Sequence, residues 1–471
     1  MTVIDAIRMG GQEILPLVEG GKGVSASNGE SAGHWALSGG VGTFSAVNAD
    51  SYDAQGRVIP QIYHGRTRRD RHEELIAYAI EGGVTQAKRA WDIAGGKGRI
   101  HANILWEMGG AEQVITGILE RTKGIVNGIT CGAGMPYRLA EIAARFNVHY
   151  YPIVSSGRAF AALWKRAYCK VADLLGGVVY EDPWLAGGHN GLSNSEDPNK
   201  QESPYPRLVA LRQVMREFGL HETPIIMAGG VWALEEWKNY INNPEIGPIA
   251  FQFGTRPLLT KESPIPQGWK DHLLKLKAGD VFLNRFSPTG FYSSAVNNDF
   301  MRELRARSER QVAYSTEPLG EHVVDYGVGV RKRVVYLTPP DHARVVGWES
   351  QGFTEALRTP DSTLIFVTPE KAREIHEDQV NCMGCLSQCR FSNWSQHGPD
   401  YDNGKKADPR SFCIQKTLQE IAHAAPGDVA TMDHNLMFAG HNAYRFASDP
   451  FYSNGFIPTV KQLVDRLLTG K

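Results

Sequence analysis

The chain has 471 residues, of which 42% are hydrophobic and 21% charged, and its formal net charge is -1. This length exceeds one barrel domain of about 250 residues, so we expect a barrel with an added part. The net charge gives no long-range attraction to nucleic acid or to an anionic membrane. No apolar run approaches the length of a membrane-spanning helix, about 20 residues.

The N-terminal residues include Asp5 and lack the apolar core of a signal peptide. We therefore expect a cytoplasmic protein without membrane contact. The expected partner is a small-molecule substrate, with nucleic acid a weaker alternative. Assembly into a homo-oligomer is left open.

Between residues 14 and 260, short apolar segments alternate with helical patterns. The predicted strands span residues 15–18, 42–45, 100–105, 125–130, 148–154, 178–181, 224–227 and 249–253. Several are continuously apolar, as is typical of parallel strands buried on both faces. Eight alternating units predict an α/β fold, a closed (β/α)8 TIM barrel, and an open doubly wound sheet is the alternative.

The connection 63–97 is longer than usual and carries Arg66, Arg68, Arg69 and Arg71. We interpret it as a solvated helix start rather than a phosphate-binding patch. Residues 264–310 are predicted helices that complete a barrel domain of residues 1–310. Residues 311–471 form a C-terminal extension with a predicted strand at 363–367 and a group of cysteines.

Loops that follow the strands carry function in a barrel. Glycine pairs follow the seventh and eighth predicted strands, where backbone N–H groups can bind a phosphate. The candidate cofactor-binding residues at the strand ends are Glu19, Gly20, Asn103, Asp182, Gly187, Gly188, Gly229, Gly230, Gly254 and Thr255.

Three separated motifs carry a family resemblance: 186–191 (Ala-Gly-Gly-His-Asn-Gly), 226–231 (Ile-Met-Ala-Gly-Gly-Val) and 252–256 (Gln-Phe-Gly-Thr-Arg). In order and spacing, the chain resembles the nitronate monooxygenase family, also called 2-nitropropane dioxygenase-like flavoproteins. The resemblance covers about residues 14–310. It implies FMN at the barrel mouth, and it implies that His189 is the active-site histidine.

The sequence departs from the family pattern before this histidine. The family often has Gln-Gly-x-Glu there, whereas this chain has Asp182-Pro183-Trp184-Leu185. His189 itself could take up a proton from an acidic C–H or hold a developing anion, because imidazole exchanges protons near neutral pH. Cys131 is interpreted as a small residue packed beneath the flavin.

The C-terminal cysteines follow the pattern Cys382-x2-Cys385-x3-Cys389, with Cys413 further along. Four thiolates suit a [4Fe–4S] cluster or tetrahedral zinc. Residues 382–385 are locally similar to the cluster motif of the 2,4-dienoyl-CoA reductase and trimethylamine dehydrogenase flavoproteins. We expect a [4Fe–4S] cluster, with zinc and metal-free thiols as alternatives.

Three functions follow from these features. The first is an FMN-dependent oxidoreductase that oxidises a small anionic or nitronate-like substrate with O2. The second is a reductase with FMN and a [4Fe–4S] cluster, acting on an activated C=C bond or an RNA base. The third is a non-enzymatic interaction module, stabilised by a bound metal and attached to a degenerate barrel.

Overall fold

The computed structural model describes residues 4–470. Its strands, numbered in chain order, are β1 (Ile7–Met9), β2 (Gln12–Ile14), β3 (Leu17–Glu19), β4 (Val41–Ser45), β5 (Arg99–Leu105), β6 (Gly128–Gly132), β7 (His149–Val154), β8 (Val178–Glu181), β9 (Gly188–His189), β10 (Ile225–Ala228), β11 (Ile249–Phe253), β12 (Val281–Asn284), β13 (Ser293–Val296), β14 (Gln311–Ala313), β15 (Val324–Val328), β16 (Arg333–Leu337), β17 (Glu355–Arg358) and β18 (Thr363–Val367).

The α-helices of the same residues are α1 (Gly29–Leu37), α2 (Arg68–Ile93), α3 (Ala111–Arg121), α4 (Leu139–Phe146), α5 (Gly157–Arg166), α6 (Pro204–Glu217), α7 (Gln267–Leu273), α8 (Asp299–Glu309), α9 (Pro339–Glu349), α10 (Pro369–Val380), α11 (Ile414–Ala422), α12 (Val429–Asp433) and α13 (Val460–Thr469). Short 3-10 helices complete the pattern, among them His441–Ala447.

Eight parallel strands close into a barrel in the order β10, β11, β3, β4, β5, β6, β7, β8. The predicted TIM barrel is confirmed, and because the sheet closes, the open doubly wound alternative is wrong. The fourth barrel strand begins at Gly128, later than predicted, because Ile125 closes a turn with Thr122.

Side chains alternate along the barrel strands, which separates two apolar layers. Val18, Val41, Val179 and Ile226 fill the barrel interior, whereas the intervening residues pack outward against the helices. The hairpin β1–β2 closes the amino-terminal end, where the carbonyl of Gly10 accepts a hydrogen bond from Arg99 at 3.2 Å. The barrel is therefore open only at the end where a site is expected.

The chain after the barrel divides into one stretch with its own core and one stretch that packs on the barrel. Strands β14–β18 and helix α9 enclose a small core of their own, which includes Val335, Leu337 and Phe366. From Cys382 onward the chain returns to the barrel, and Trp394 and Leu418 join its main core. The second stretch thus packs around the barrel mouth.

Candidate active site

A cavity of about 880 Å³ lies at the carboxyl ends of the barrel strands. Ligand sites in this size range are common, about 300–1,000 Å³. The predicted site residues on its wall are Gly20, Asn103, Gly187, Gly188, His189, Gly229, Gly230, Gly254 and Thr255. The structure therefore brings together most of the set chosen from sequence.

One end of the cavity is bounded by the loops after β10 and β11. Gly229 and Gly230 have φ values of +86° and +75°, a conformation that favours glycine. A Cβ added at Gly254 would meet no atom within 4 Å. The exposed backbone and the free space leave room for an anionic group, and the phosphate site predicted here stays a prediction.

The segment 439–442 closes this end, and sequence reasoning missed it. The backbone N–H of Gly440 donates to Oγ1 of Thr255 at 3.0 Å, and Nδ2 of Asn442 donates to the carbonyl of Gly230 at 2.7 Å. A signal was present, because Ala-Gly-His-Asn at 439–442 resembles the Gly-Gly-His-Asn of 187–190.

The adjoining part of the wall is built by the ends of β3, which pairs with β11, and of β5. Gly21 lies directly against the side chain of Asn103, so a Cβ there would overlap its amide. The Asn103 Nδ2 donates to the carbonyl of Thr130 at 3.4 Å, which fixes the amide at the wall. This placement fits the role expected from the resemblance.

Glu19 and Asp182 lie away from the cavity wall. The Glu19 carboxylate accepts hydrogen bonds from Lys22 Nζ at 2.7 Å and Ser31 Oγ at 2.6 Å. The Asp182 Oδ1 accepts from the backbone N–H groups of Trp184 and Leu185. Both carboxylates hold loops in place, and neither lines the cavity in which a cofactor would lie.

Glu181, one residue before Asp182, lines the cavity instead. Alternation along β8 points Val179 and Glu181 inward, whereas Val178 and Tyr180 pack outward. Burial, with a smaller contribution from Asp182, raises the pKa of Glu181 to about 8. The sequence-based prediction therefore missed an ionisable group at the centre of the site.

His189 lies on the cavity wall at the end of the short strand β9, which pairs with β13 over the barrel mouth. Its Nε2 is hydrogen-bonded to Ser287 Oγ at 2.6 Å, and its ring meets Phe438 edge to face at 5.7 Å. Burial lowers the pKa of His189 to about 4. The imidazole is therefore neutral at physiological pH.

Cys131 is fully buried within β6 rather than after it, and it belongs to the layer between barrel and helices. The interpretation that it packs beneath the flavin is therefore wrong. The error follows from ending the predicted strand at residue 130, because β6 continues to Gly132 and its alternation directs Cys131 outward.

Comparison with known proteins decides the family. The sequence model described as nitronate monooxygenase matches residues 126–470. The chain belongs to this family. Members of the nitronate monooxygenase family are FMN-dependent, so the chain is an enzyme of the FMN-type oxidoreductase class. No curated protein sequence matches it.

Solved structures show the same fold at low identity. The enoyl reductase domain of MlnA from Bacillus amyloliquefaciens is 13% identical, with 96% of this chain and 93% of that chain covered and a TM-score of 0.55. FabK from Thermotoga maritima is 14% identical, with coverages of 96% and 91% and a TM-score of 0.50. These likenesses extend beyond the barrel into the C-terminal part.

The cysteine segment, residues 382–413, lies against the barrel-mouth cavity, and α2 holds it there. Arg68 donates to the carbonyl of Ser392 at 2.9 Å, and Arg71 donates to that of Cys382 at 3.1 Å. Arg68 and Arg71 were expected to belong to a solvated helix start, but both are half-buried and bonded to backbone carbonyls of the C-terminal part. Instead they hold the cysteine segment on the barrel.

Cys382, Cys385 and Cys389 are buried, and Cys413 is half-buried. The Cys382 sulfur accepts hydrogen bonds from the backbone N–H of Gly384 at 3.4 Å and from Ser392 Oγ at 3.1 Å.

Among residues 4–470, however, no group of three or more His, Cys, Asp or Glu side chains is arranged to hold a metal ion. The predicted metal centre stays a prediction. No helix in the described part of the chain is long and apolar enough to cross a membrane.

Proposed function

We propose that this chain binds FMN in the barrel-mouth cavity and oxidises a small anionic, nitronate-like substrate with O2. The observation that carries the proposal is His189, which faces the cavity as a neutral imidazole between Ser287 and Phe438. When bound, FMN would take two electrons from the substrate and pass them to O2.

The cavity fits FMN on its own geometry. Gly229, Gly230, Gly254 and Thr255 would hold the phosphate, mainly through backbone N–H groups. Asn103 would hold the edge of the ring system. Gly187 and Gly188 let their loop run close to the cavity, and a Cβ at Gly187 would lie 2.6 Å from the Gly440 backbone nitrogen.

The chemistry assigned to His189 follows from its protonation. A neutral imidazole can accept a proton from the C–H-acidic form of such a substrate, whereas an imidazolium cannot, and a substrate that arrives as the nitronate has already lost that proton. The hydrogen bond to Ser287, whose Oγ is also bonded to Thr289 Oγ1 at 2.9 Å, fixes the ring. We therefore assign His189 to the substrate and not to flavin retention.

Two anaerobic half-reactions test this function against its alternative. A propyl nitronate mixed with the oxidised holoenzyme should bleach the flavin absorbance. The photoreduced holoenzyme should not be reoxidised by a trans-2-enoyl thioester. If the nitronate leaves the flavin oxidised and the enoyl compound reoxidises it, the chain is a reductase.

The second candidate, a reductase of an activated C=C bond, is favoured by the cysteine segment. Cys385 and Leu386 line the cavity itself, so a redox centre there would adjoin the flavin. We propose a [4Fe–4S] cluster on Cys382, Cys385, Cys389 and Cys413. When bound, such a cluster passes single electrons.

The spacing Cys382-x2-Cys385-x3-Cys389 favours the cluster over zinc, because zinc sites more often pair two Cys-x2-Cys units. The hydrogen bonds that the Cys382 sulfur accepts from Gly384 and Ser392 are contacts of the kind that tune an iron–sulfur centre. Iron and acid-labile sulfide in anaerobically purified protein test the cluster, and zinc without either would reject it.

A further inference from the structure

Glu181 is a carboxyl group at the cavity wall that no hydrogen bond or ion pair engages within residues 4–470. It ends β8, and its backbone lies beside Ala228 of β10 in the barrel. On the other side, β7 brings Val154 to the same wall. Apolar neighbours on both strands leave the carboxyl free to meet a ligand.

The other ionisable groups on this wall are Lys22, Glu107, His189 and Cys385. Lys22 is paired with Glu19, which lies behind the wall, at 2.7 Å. Glu107 accepts a hydrogen bond from Ser387 at 2.9 Å. Lys22 thus already has its counter-ion.

His189 and Cys385 add no cation at neutral pH either. Burial lowers the pKa of His189, which keeps its imidazole neutral, and a cysteine side chain carries no positive charge in either protonation state. Described wall residues therefore provide no unpaired cation for an anionic substrate. Recognition of an anion must come from neutral hydrogen-bond donors.

Glu181 can be such a donor. Its pKa of about 8 keeps the carboxyl protonated at neutral pH, chiefly because burial penalises the carboxylate. A protonated carboxyl carries one O–H, which can donate a hydrogen bond to an oxyanion. Once ionised, the same group would repel the anion.

We propose that Glu181 recognises the substrate as an oxyanion: it donates its carboxyl O–H to an oxygen of a nitronate or a carboxylate held in the cavity. This inference rests on the proposed FMN site, because the flavin fills part of the same cavity. It adds the residue that selects an oxyanion. No proton is transferred, and the hydrogen bond is broken when product leaves.

The probe is nitrite, a small oxyanion that stays fully ionised from about pH 6 to about pH 10. Its binding to the purified holoenzyme is followed by the perturbation of the FMN absorbance. The apparent Kd should be constant below pH 8 and should rise about tenfold per pH unit above it, because only the protonated form binds.

Three variants make the test specific. Glu181→Gln keeps an N–H donor that never ionises, so its Kd should lie within about threefold of wild type at pH 7 and stay flat to pH 10. Glu181→Ala removes the donor and should weaken binding at pH 7 about fivefold. Glu107→Gln changes another wall carboxyl and should retain the wild-type break near pH 8.

A wild-type profile without that break overturns the proposal, and so does a break that persists in Glu181→Gln. If Glu181→Gln instead loses FMN while nitrite binding keeps its pH dependence, the residue contacts flavin and the proposal is wrong. If the protein holds no FMN at all, the proposed function fails separately. The infrared band of a protonated carboxyl, present at pH 7 in wild type and absent in Glu181→Gln, then still decides whether Glu181 can donate.

Discussion

Gly254→Val tests where the FMN phosphate lies. Gly254 follows β11, its φ is not in the left-handed region, and an added Cβ would meet no atom within 4 Å. Valine is therefore accommodated by the protein, and its methyl groups extend into the space assigned to the phosphate. Gly230→Val is a poorer choice, because φ is +75° and the Cβ would lie 2.5 Å from Leu185.

The expected loss of affinity follows from the phosphate contacts. Each hydrogen bond to a charged group contributes about 1.5–3 kcal/mol. Displacement of two such bonds should raise the Kd for FMN about 10²- to 10⁴-fold. The stability of the FMN-free protein should change by no more than about 1 kcal/mol, because nothing buried is displaced.

The assay is fluorescence titration of FMN into protein from which the flavin has been removed, together with thermal unfolding. Gly347→Val is the matched control, because Gly347 on α9 also has no atom within 4 Å of an added Cβ and lies in the separate C-terminal core region. It should bind FMN as wild type does. A Gly254→Val protein that retains stoichiometric FMN would show that the phosphate lies elsewhere.

Three further outcomes are expected. Cys389→Ser should lower iron content and the visible cluster band together, measured by metal analysis and absorbance, whereas Cys169→Ser, a change at an exposed cysteine, should alter neither. His189→Ala should keep FMN but slow single-turnover flavin reduction at least about 10²-fold, and His189→Asn should recover part of that loss if the role is anion stabilisation. The folded pKa of His189 is about 4, whereas the unfolded value is about 6.5. As pH drops from 6.5 to 4, His189 should therefore lower the free energy of unfolding by at most about 3 kcal/mol. Denaturant titrations of His189→Asn should lack this contribution.

The barrel was predictable because its strands carry their own signal. Continuous apolar runs bounded by glycine identified Val178–Glu181 and Ile249–Phe253 with the bounds that the structure has. Where the apolar run continued into a turn, at Ile125, the prediction began too early. Cys131 was misplaced because the prediction ended the same strand at residue 130, whereas β6 runs to Gly132.

The site was predicted less completely because motif matching and strand geometry gave different answers. The family motif directed attention to Asp182, whereas alternation along β8 directs Glu181 into the barrel. Period-2 alternation was available from the sequence alone, since the strand had been located correctly. Ser287, by contrast, is 98 positions from His189, and nothing local in the sequence pairs them.

The C-terminal segment explains why the chain is longer than a barrel. Residues 439–442 bind the loops assigned to the phosphate, and Cys385 and Ile414 form part of the wall. These residues are far in sequence from the barrel strands. The site is therefore complete only when the chain from Cys382 onward packs back against the barrel mouth. Because the chain from Cys382 onward also holds the four cysteines, loss of a metal centre bound to them would loosen the cavity wall as well. Iron content and FMN affinity should therefore fall together in Cys385→Ser, because Cys385 lines the cavity and belongs to the proposed ligand set. In Cys389→Ser the FMN affinity should fall less, because Cys389 does not line the cavity.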